Sequence, residues 1–210
     1  MLEKIILIGD SGHAKVIEDC ILSQGSSVIA KLDDRYKERF HENHLIKGPF
    51  AIVEDLLTDG VKVVISIGSN VIRKRIVERL NIANEKYAII VHRRAIVCNS
   101  ANVGHGTVIM PGVIVNADAS IGCHTIINSN SVVEHDCVVE DFTHISPGAI
   151  LTGNVKVGRG SHVGAGSTII PGIEIGSWTT VGAGSSVISN IESNVTAVGV
   201  PAKVIKREGF

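Results

Sequence analysis

Aromatic side chains are scarce in this sequence. Trp, Tyr and Phe together make up 3% of the 210 residues, although apolar residues reach 44%. That ratio excludes a bulky core built on rings. Val, Ile and Ala must fill the interior, which suits thin, regular β-layers. Cysteine is also rare: Cys20, Cys98, Cys123 and Cys137 show neither C-x-x-C spacing nor the density of a disulfide framework, so a reducing cytosol is expected. No run approaches the roughly 20 apolar residues of a membrane span, and the charged start MLEKIILIGD reads as a short strand and not as a signal peptide. Charge has no bias either. A net charge of -1 with both signs mixed points to neither nucleic acid nor an anionic membrane as partner. The expectation is a cytoplasmic chain with enough mass for two modest domains.

What the sequence has in abundance is a period. Stepping by six from Val97 gives Val103, Ile109, Val115, Ile121, Ile127, Val133, Val139, Ile145, Leu151, Val157, Val163, Ile169, Ile175, Val181 and Val187, all aliphatic. Two residues before most of these stands a small side chain, as at Ala101, Thr107, Ala119, Thr125, Ser131, Cys137, Ala149, Ser161 and Ser167. Fixed-period self-similarity of this kind marks a solenoid. Strand residues alternate in and out, so the aliphatic residue and the small one before it both point inward, and a sharp corner takes up the rest of the six. Three such sides make a triangular coil of eighteen residues, and successive coils stack at roughly 4.8 Å. Residues 97 to 187 therefore read as a parallel β-helix of about five coils at eighteen residues each.

The register also says what faces out. His135 and Asp136 fall at a corner, while Asn128 and His144 fall at outward positions. Adding eighteen places His144 on His162, His135 on Gly153 and Asn128 on Ser146. The polar residues are therefore expected to gather, with a glycine backbone N–H beside a histidine as an oxyanion donor would require. The frame ends at Val187. A polar turn follows over residues 189–194, and VTAVGVPAK folds back to cover that end of the solenoid, as the N-terminal domain covers the other.

Residues 1–90 follow different rules. Strands are expected at Ile5–Ile8, Val28–Leu32 and Val61–Ile67, with helices from Ala14 to Ser23 and from Val71 to Leu80, the latter carrying Arg73, Lys74 and Arg75. Alternating strands and helices imply a small parallel sheet with ligands outside the carboxyl ends of its strands. Gly9-Asp10-Ser11-Gly12-His13, Asp33-Asp34 and Gly68-Ser69-Asn70 stand at those ends. Gly9-x-x-Gly12 is only part of a dinucleotide fingerprint, but acidic residues some twenty positions later suit a ribose. The charged segment from Asp33 to His44 reads as a loop or an exposed helix start.

GDSGH, LDD, IGSN followed by IRK, NSNSVVEHD, FTHISPGAILTGNV and VGVPAK together resemble the bacterial sugar O-/N-acyltransferase family of the hexapeptide-repeat superfamily. That family includes sialic acid O-acetyltransferases and UDP-4-amino-sugar N-acetyltransferases of the bacillosamine pathway, and the resemblance covers nearly the whole chain. It implies an α/β Rossmann-like domain over residues 1–90 that binds a nucleotide-sugar. An all-β left-handed parallel β-helix over residues 91–210 follows, in a homotrimer with shared active sites. It implies His135 as general base, Asp136 as its orienting carboxylate and Asn128 near the acceptor amine. His144, Gly153, Ala165 and Ala183 would contact acetyl-CoA. Ser11, Gly12, His13, Asp33, Asp34 and Gly68 would hold a UDP-amino-sugar. No metal is implied. Direct transfer fits: the amine attacks the thioester once a base takes its proton, and imidazole is matched to that task. O-acetylation of a sialic acid or polysaccharide hydroxyl stays open beside N-acetylation.

Two other classes share this architecture. A zinc carbonic anhydrase on the same fold needs His-x-x-x-x-His, which no pair here shows within the repeat. A non-catalytic binding solenoid would not need the polar residues around His135. His41, His44, His92, His105 and His124 are expected at the solvated surface, His162 at the site or the surface, and Trp178 in packing between subunits.

Overall fold

The computed structural model describes residues 3–207. Its first part runs β1 (Lys4–Ile8), α1 (Gly12–Ser23), β2 (Ser27–Leu32), β3 (Phe40–Glu42), β4 (Leu45–Gly48), α2 (Val53–Leu56), β5 (Val61–Ile65) and α3 (Asn70–Leu80). The sheet order is β3-β4-β2-β1-β5, parallel throughout except for the β3–β4 pair. β1 lies between β2 and β5 and is covered on both faces, which is why Ile5 to Ile8 form an unbroken apolar run without alternation. The segment from Asp33 to His44 is neither loop nor helix throughout: Phe40–Glu42 forms an exposed edge strand of a hairpin. Its charges suit an edge, where they discourage pairing with other chains.

The ends of β1, β2 and β5 are tied into one rim. The Gly9 N–H donates to the Leu32 carbonyl at 2.6 Å, and the buried Ser66 hydroxyl donates to the Ile8 and Gly9 carbonyls at 2.9 and 2.7 Å. Gly9 has φ +107°, and a Cβ there would lie 2.9 Å from Ile67 Cγ1. Backbone and space both require glycine at this position.

The six-residue frame holds at every rung and opens one step early, at Ile90–Val91. As far as Thr168–Ile169 each two-residue strand pairs in parallel with the strand eighteen residues on, as His144 does with His162 and Ile145 with Val163. The rungs form three faces. The first starts at Ile90–Val91, the second at Ile96–Val97 and the third at Asn102–Val103. The aliphatic positions from Ile109 to Val187 are buried. Inward hydroxyls are accommodated because they find carbonyls: Ser161 Oγ donates to Gly176 O and Ser167 Oγ to Gly164 O, both at 2.7 Å. Corners use left-handed backbone, where Asp118, Asn130, Asp136 and Asn154 sit at φ values of 56–61°. Asx residues tolerate that region better than most side chains.

The outward positions of the three faces meet different surroundings. On the first face Val108 and Ile126 are buried, and the N-terminal part lies along this face. On the third, Lys156 and Glu174 pair at 2.8 Å in solvent. On the second, Ile96, Ile114, Val132 and Ile150 form an apolar ladder that the described residues leave partly open, with Ile96 61% and Ile150 37% exposed and Ile114 and Val132 half-buried. Ile17 and Ile21 of α1 join the same apolar cluster as Ile90 and Met110 at the start of the solenoid. At the other end Val195–Gly199 pairs with Thr180–Val181 and turns back as Ala202–Arg207.

Candidate functional site

The corner between the second and third faces carries His135 and Asp136. Asp136 has φ +60°, and its N–H donates to the Ala117 carbonyl one coil earlier. This places its short carboxylate beside the preceding ring: His135 Nδ1 and Asp136 Oδ2 are 2.8 Å apart. The imidazole is solvent-exposed, and the hydrogen bond to Asp136, followed by the charges of Asp136 and Glu134, raises its pKa above the ordinary histidine value. With Nδ1 engaged, Nε2 is the nitrogen left to accept a proton. The ring lies over Gly153, where a Cβ would come within 2.7 Å of His135 Cε1 and Nε2. Glycine is therefore needed at residue 153 for the imidazole to rest there, and no acceptor among the described residues takes the Gly153 N–H.

A second group of polar residues occupies the first face and its corner with the second. The His144 and His162 rings stack with centroids 4.9 Å apart. His144 Nε2 lies 3.0 Å from Asn128 Nδ2, and His162 Nε2 lies 2.7 Å from Ser146 Oγ. Burial, then the neighbouring His162, Arg73 and His13, pulls His144 down to about 3. Burial and Arg73 likewise bring His13 to about 4 and lower His162. All three rings are neutral near pH 7. Ala165 and Ala183 are exposed further along the same corner column as Asn128, joined through the Gly184 N–H to Ala165 O bond of 2.8 Å. Their small side chains leave a smooth edge along which an extended ligand could lie.

The strand-end loops approach this second group. Ser11 and Gly12 are exposed, and a Cβ built on Gly12 or Gly68 meets nothing within 4 Å, so neither glycine is demanded by packing. Gly68 to Val71 line a cleft of about 500 Å³ together with His144, Gly160, His162, Trp178 and Thr180. Asp33 and Asp34 are engaged by their own chain. Asp33 accepts the Asp10 and Arg35 N–H groups at 3.0 and 3.1 Å, and Asp34 accepts Phe50 N–H at 3.1 Å and pairs with Arg79. Beside them Asp10 meets Lys47 at 3.1 Å, Arg35 at 3.3 Å and the Tyr36 hydroxyl at 2.6 Å.

One expectation fails within a single chain: the polar residues do not form one cluster. His135, Asp136 and Gly153 share one corner, whereas Asn128, Ala165 and Ala183 share the next, with His144 on the first face. Between the two corners lies the second face, roughly 15 Å across for four or five extended residues. Residues seven apart in a six-residue frame fall on successive corners, and that arithmetic separates His135 from Asn128.

Two further readings change. His124 and His92 are buried, 2% and 7% exposed, and not at the solvated surface. His124 packs edge-on to Tyr87 and flat on Phe142, because the N-terminal part covers that corner. Trp178 lies over Gly160, where a Cβ would fall 2.4 Å from the ring, and is half-buried by its own chain. Arg73, read only as one basic residue of a helix, is 1% exposed and reaches the solenoid backbone. Its partners are carbonyls, which no residue pattern announces. His162 does belong beside His144, as the addition of eighteen indicated. Among the described residues no three His, Cys, Asp or Glu side chains come together in a way that could hold a metal ion, and no helix is long and apolar enough to cross a membrane.

Comparison with known proteins adds an independent line. Residues 4–80 match the family model described as the PglD N-terminal domain. A solved structure of a histidine-to-asparagine variant of perosamine N-acetyltransferase from Caulobacter crescentus, in complex with CoA and GDP-perosamine, is 32% identical with a TM-score of 0.88, covering 97% of each chain. The acetyltransferase domain of PglB from Neisseria gonorrhoeae is 32% identical with a TM-score of 0.88, covering 97% of this chain and all of that one; it has also been solved in complex with acetyl coenzyme A. A UDP-N-acetylbacillosamine N-acetyltransferase from Bacillus subtilis is 43% identical over 106 residues, so the match spans about half of either chain, 49% of each. The hand of the solenoid, which the six-residue period leaves open, is the left hand of the solved neighbours.

Proposed function

Because this chain belongs to the hexapeptide-repeat sugar acyltransferases with a PglD-type N-terminal domain, we propose that it transfers the acetyl group of acetyl-CoA to the amino group of a nucleotide-linked amino-sugar. The observation that carries this reading is the His135–Asp136 pair at 2.8 Å, with Nε2 exposed above Gly153. Residues 1–90 are the nucleotide-sugar domain and residues 91–210 the transferase domain. A UDP-sugar is favoured by the 43% identity over 106 residues to the Bacillus enzyme. The cytoplasm, where acetyl-CoA and nucleotide-sugars are made, is the compartment that suits the reaction.

Acetyl-CoA supplies an acetyl group on a thioester with a good leaving thiolate, so no covalent enzyme intermediate is required. His135 Nε2 takes a proton from the sugar amine as it attacks. Asp136 holds the ring by Nδ1 and steadies the imidazolium, the role of the carboxylate in a hydrolase triad. The Gly153 N–H donates to the carbonyl oxygen as it gains charge. Asn128, held by His144, faces the acceptor. The small corner residues Ala165 and Ala183 make room for the coenzyme. His135 and Asn128 lie on different corners of one chain, so a neighbouring copy brings them together. The partly open ladder Ile96, Ile114, Val132 and Ile150 lies between those corners and supplies an apolar surface for that contact in a homotrimer.

The test is thiol release from acetyl-CoA with a panel of UDP- and GDP-linked amino-sugars, run beside sialic acid. Amine-dependent release by the wild type, reduced about 10²–10⁴-fold in His135→Ala, is expected of a general base. Near wild-type turnover in that variant would remove His135 from the chemistry. Release with sialic acid alone would move the assignment to O-acetylation.

A further inference from the structure

Two hydrogen-bonded pairs repeat one coil apart along the first face and its corner with the second. Asn128 Nδ2 lies 3.0 Å from His144 Nε2, and one coil on, Ser146 Oγ lies 2.7 Å from His162 Nε2. His144 and His162 are register partners on neighbouring strands, so their side chains leave the same face at adjacent rungs. The two rings stack with centroids 4.9 Å apart and planes 9° from parallel. Register alone brings the two Cβ atoms together; the stack needs a ring at both positions.

The first pair has a defined direction. Asn128 Oδ1 accepts the Ser129 N–H at 2.8 Å, so the amide presents its NH₂ to His144. His144 Nε2 therefore accepts, and the neutral ring carries its proton on Nδ1. One Nδ2 hydrogen of Asn128 is taken by His144 and the other is left for the acceptor. The direction of that amide thus depends on the plane of the His144 ring. On the coil before, the register partner of His144 is the buried Ile126. On the coil after it is His162, and beyond His162 stands only the exposed Thr180. All three of His144, His162 and Thr180 line the 500 Å³ cleft. Without a ring at position 162, the space over His144 would open into that cleft and the imidazole could turn away from Asn128.

We propose that His162, pinned by Ser146, is a positioning residue for the acetyl transfer: by stacking it holds the plane of the His144 ring, which in turn fixes the Asn128 amide at the corner where the acceptor is expected. This rests on the acetyltransferase reading above. The role asks for a flat ring at position 162 and not for an ionisable one. Both imidazoles are neutral at pH 7, since burial lowers the pKa of each, and two charged rings would repel. A side chain that lines the cleft could instead touch the sugar directly, so the test must separate the two roles.

The full chain is compared as wild type, His162→Ala, His162→Phe, Asn128→Ala and the His162→Ala/Asn128→Ala double variant. In His162→Ala kcat falls about 3- to 10-fold, the scale to which the energy of one aromatic pair converts. KM is unchanged for acetyl-CoA and for the amino-sugar. His162→Phe keeps the ring without its nitrogens and brings kcat back to within about twofold of wild type, less than the worth of one pair. The double variant is no slower than Asn128→Ala alone, because His162 acts through that residue. His162→Thr, which places at 162 the residue that this column already carries at 180, shows the same loss as His162→Ala and carries the test if the alanine variant does not fold. Wild-type kcat in His162→Ala, a His162→Phe variant as slow as His162→Ala, a raised KM for the sugar, or losses that multiply in the double variant each overturn the proposal. Nitrogen-15 NMR of the His144 ring reads the same chain without substrate. A single Nδ1–H tautomer is expected in the wild type and in His162→Phe, with a mixture in His162→Ala. A wild-type Nε2–H form, or an unchanged tautomer in His162→Ala, overturns the proposal even if the acceptor sugar has been misassigned.

Discussion

At the scale of single residues, the Asp136 carboxylate sets the pH at which His135 works. A base is active when neutral, and Asp136 raises the imidazole pKa above its ordinary 6.5, so the rate should climb with pH through that raised value. Asp136→Asn removes the charge and weakens the hold on Nδ1. The acid limb of kcat/KM should move down toward pH 6.5, and the plateau should fall because the ring is less well oriented. A profile from about pH 5 to about pH 9 measures both, and an unmoved acid limb would separate Asp136 from the base. This pair was legible in the sequence because adjacent residues at a corner must be neighbours in space. Arg73 was not: every residue offers a carbonyl, so nothing in the sequence around residues 124, 142 and 143 marks them as acceptors for a cation. The burial of His124 was hidden for the same reason, since it depends on how the N-terminal part lies along the first face.

At the scale of the rung, stability lies in aliphatic columns. Ile145 is fully buried, in register with Ile127 on the coil before and Val163 on the coil after. Each rung contributes only two strand residues, so a truncated side chain leaves a gap that the neighbouring coils, held by backbone ladders on both sides, cannot close. Ile145→Ala should cost about 2–5 kcal/mol, read as a lower denaturation midpoint. A loss under about 1 kcal/mol would mean that the column repacks. The rungs were the most legible part of the chain, because period six admits few alternatives and every inward position repeats the same demand. The β3–β4 hairpin was the least legible: an exposed edge strand of three residues shows no apolar alternation, and its charges look the same as those of a loop.

At the scale of the whole molecule, the register carries a consequence for assembly. His135 and Asn128 are seven residues apart, one more than a side of the triangle, so one chain cannot bring both to the same acceptor. If each site takes His135 from one copy and Asn128 from the next, two inactive variants should complement. In the homotrimer proposed above, His135→Ala and Asn128→Ala chains co-expressed in equal amounts would give mixed trimers in about three quarters of assemblies. Around any such ring, one junction places an intact His135 against an intact Asn128. One site in three is then restored, and the mixture should reach about one quarter of wild-type turnover by thiol release. Each variant alone stays near its own low rate. A site built within one chain would show no such gain, since every chain in the mixture lacks one of the two residues. Replacing Ile150 on the partly open second face with Glu supplies the control: the same mixture should lose complementation together with its trimer mass by light scattering, because the apolar ladder that brings the corners together is broken.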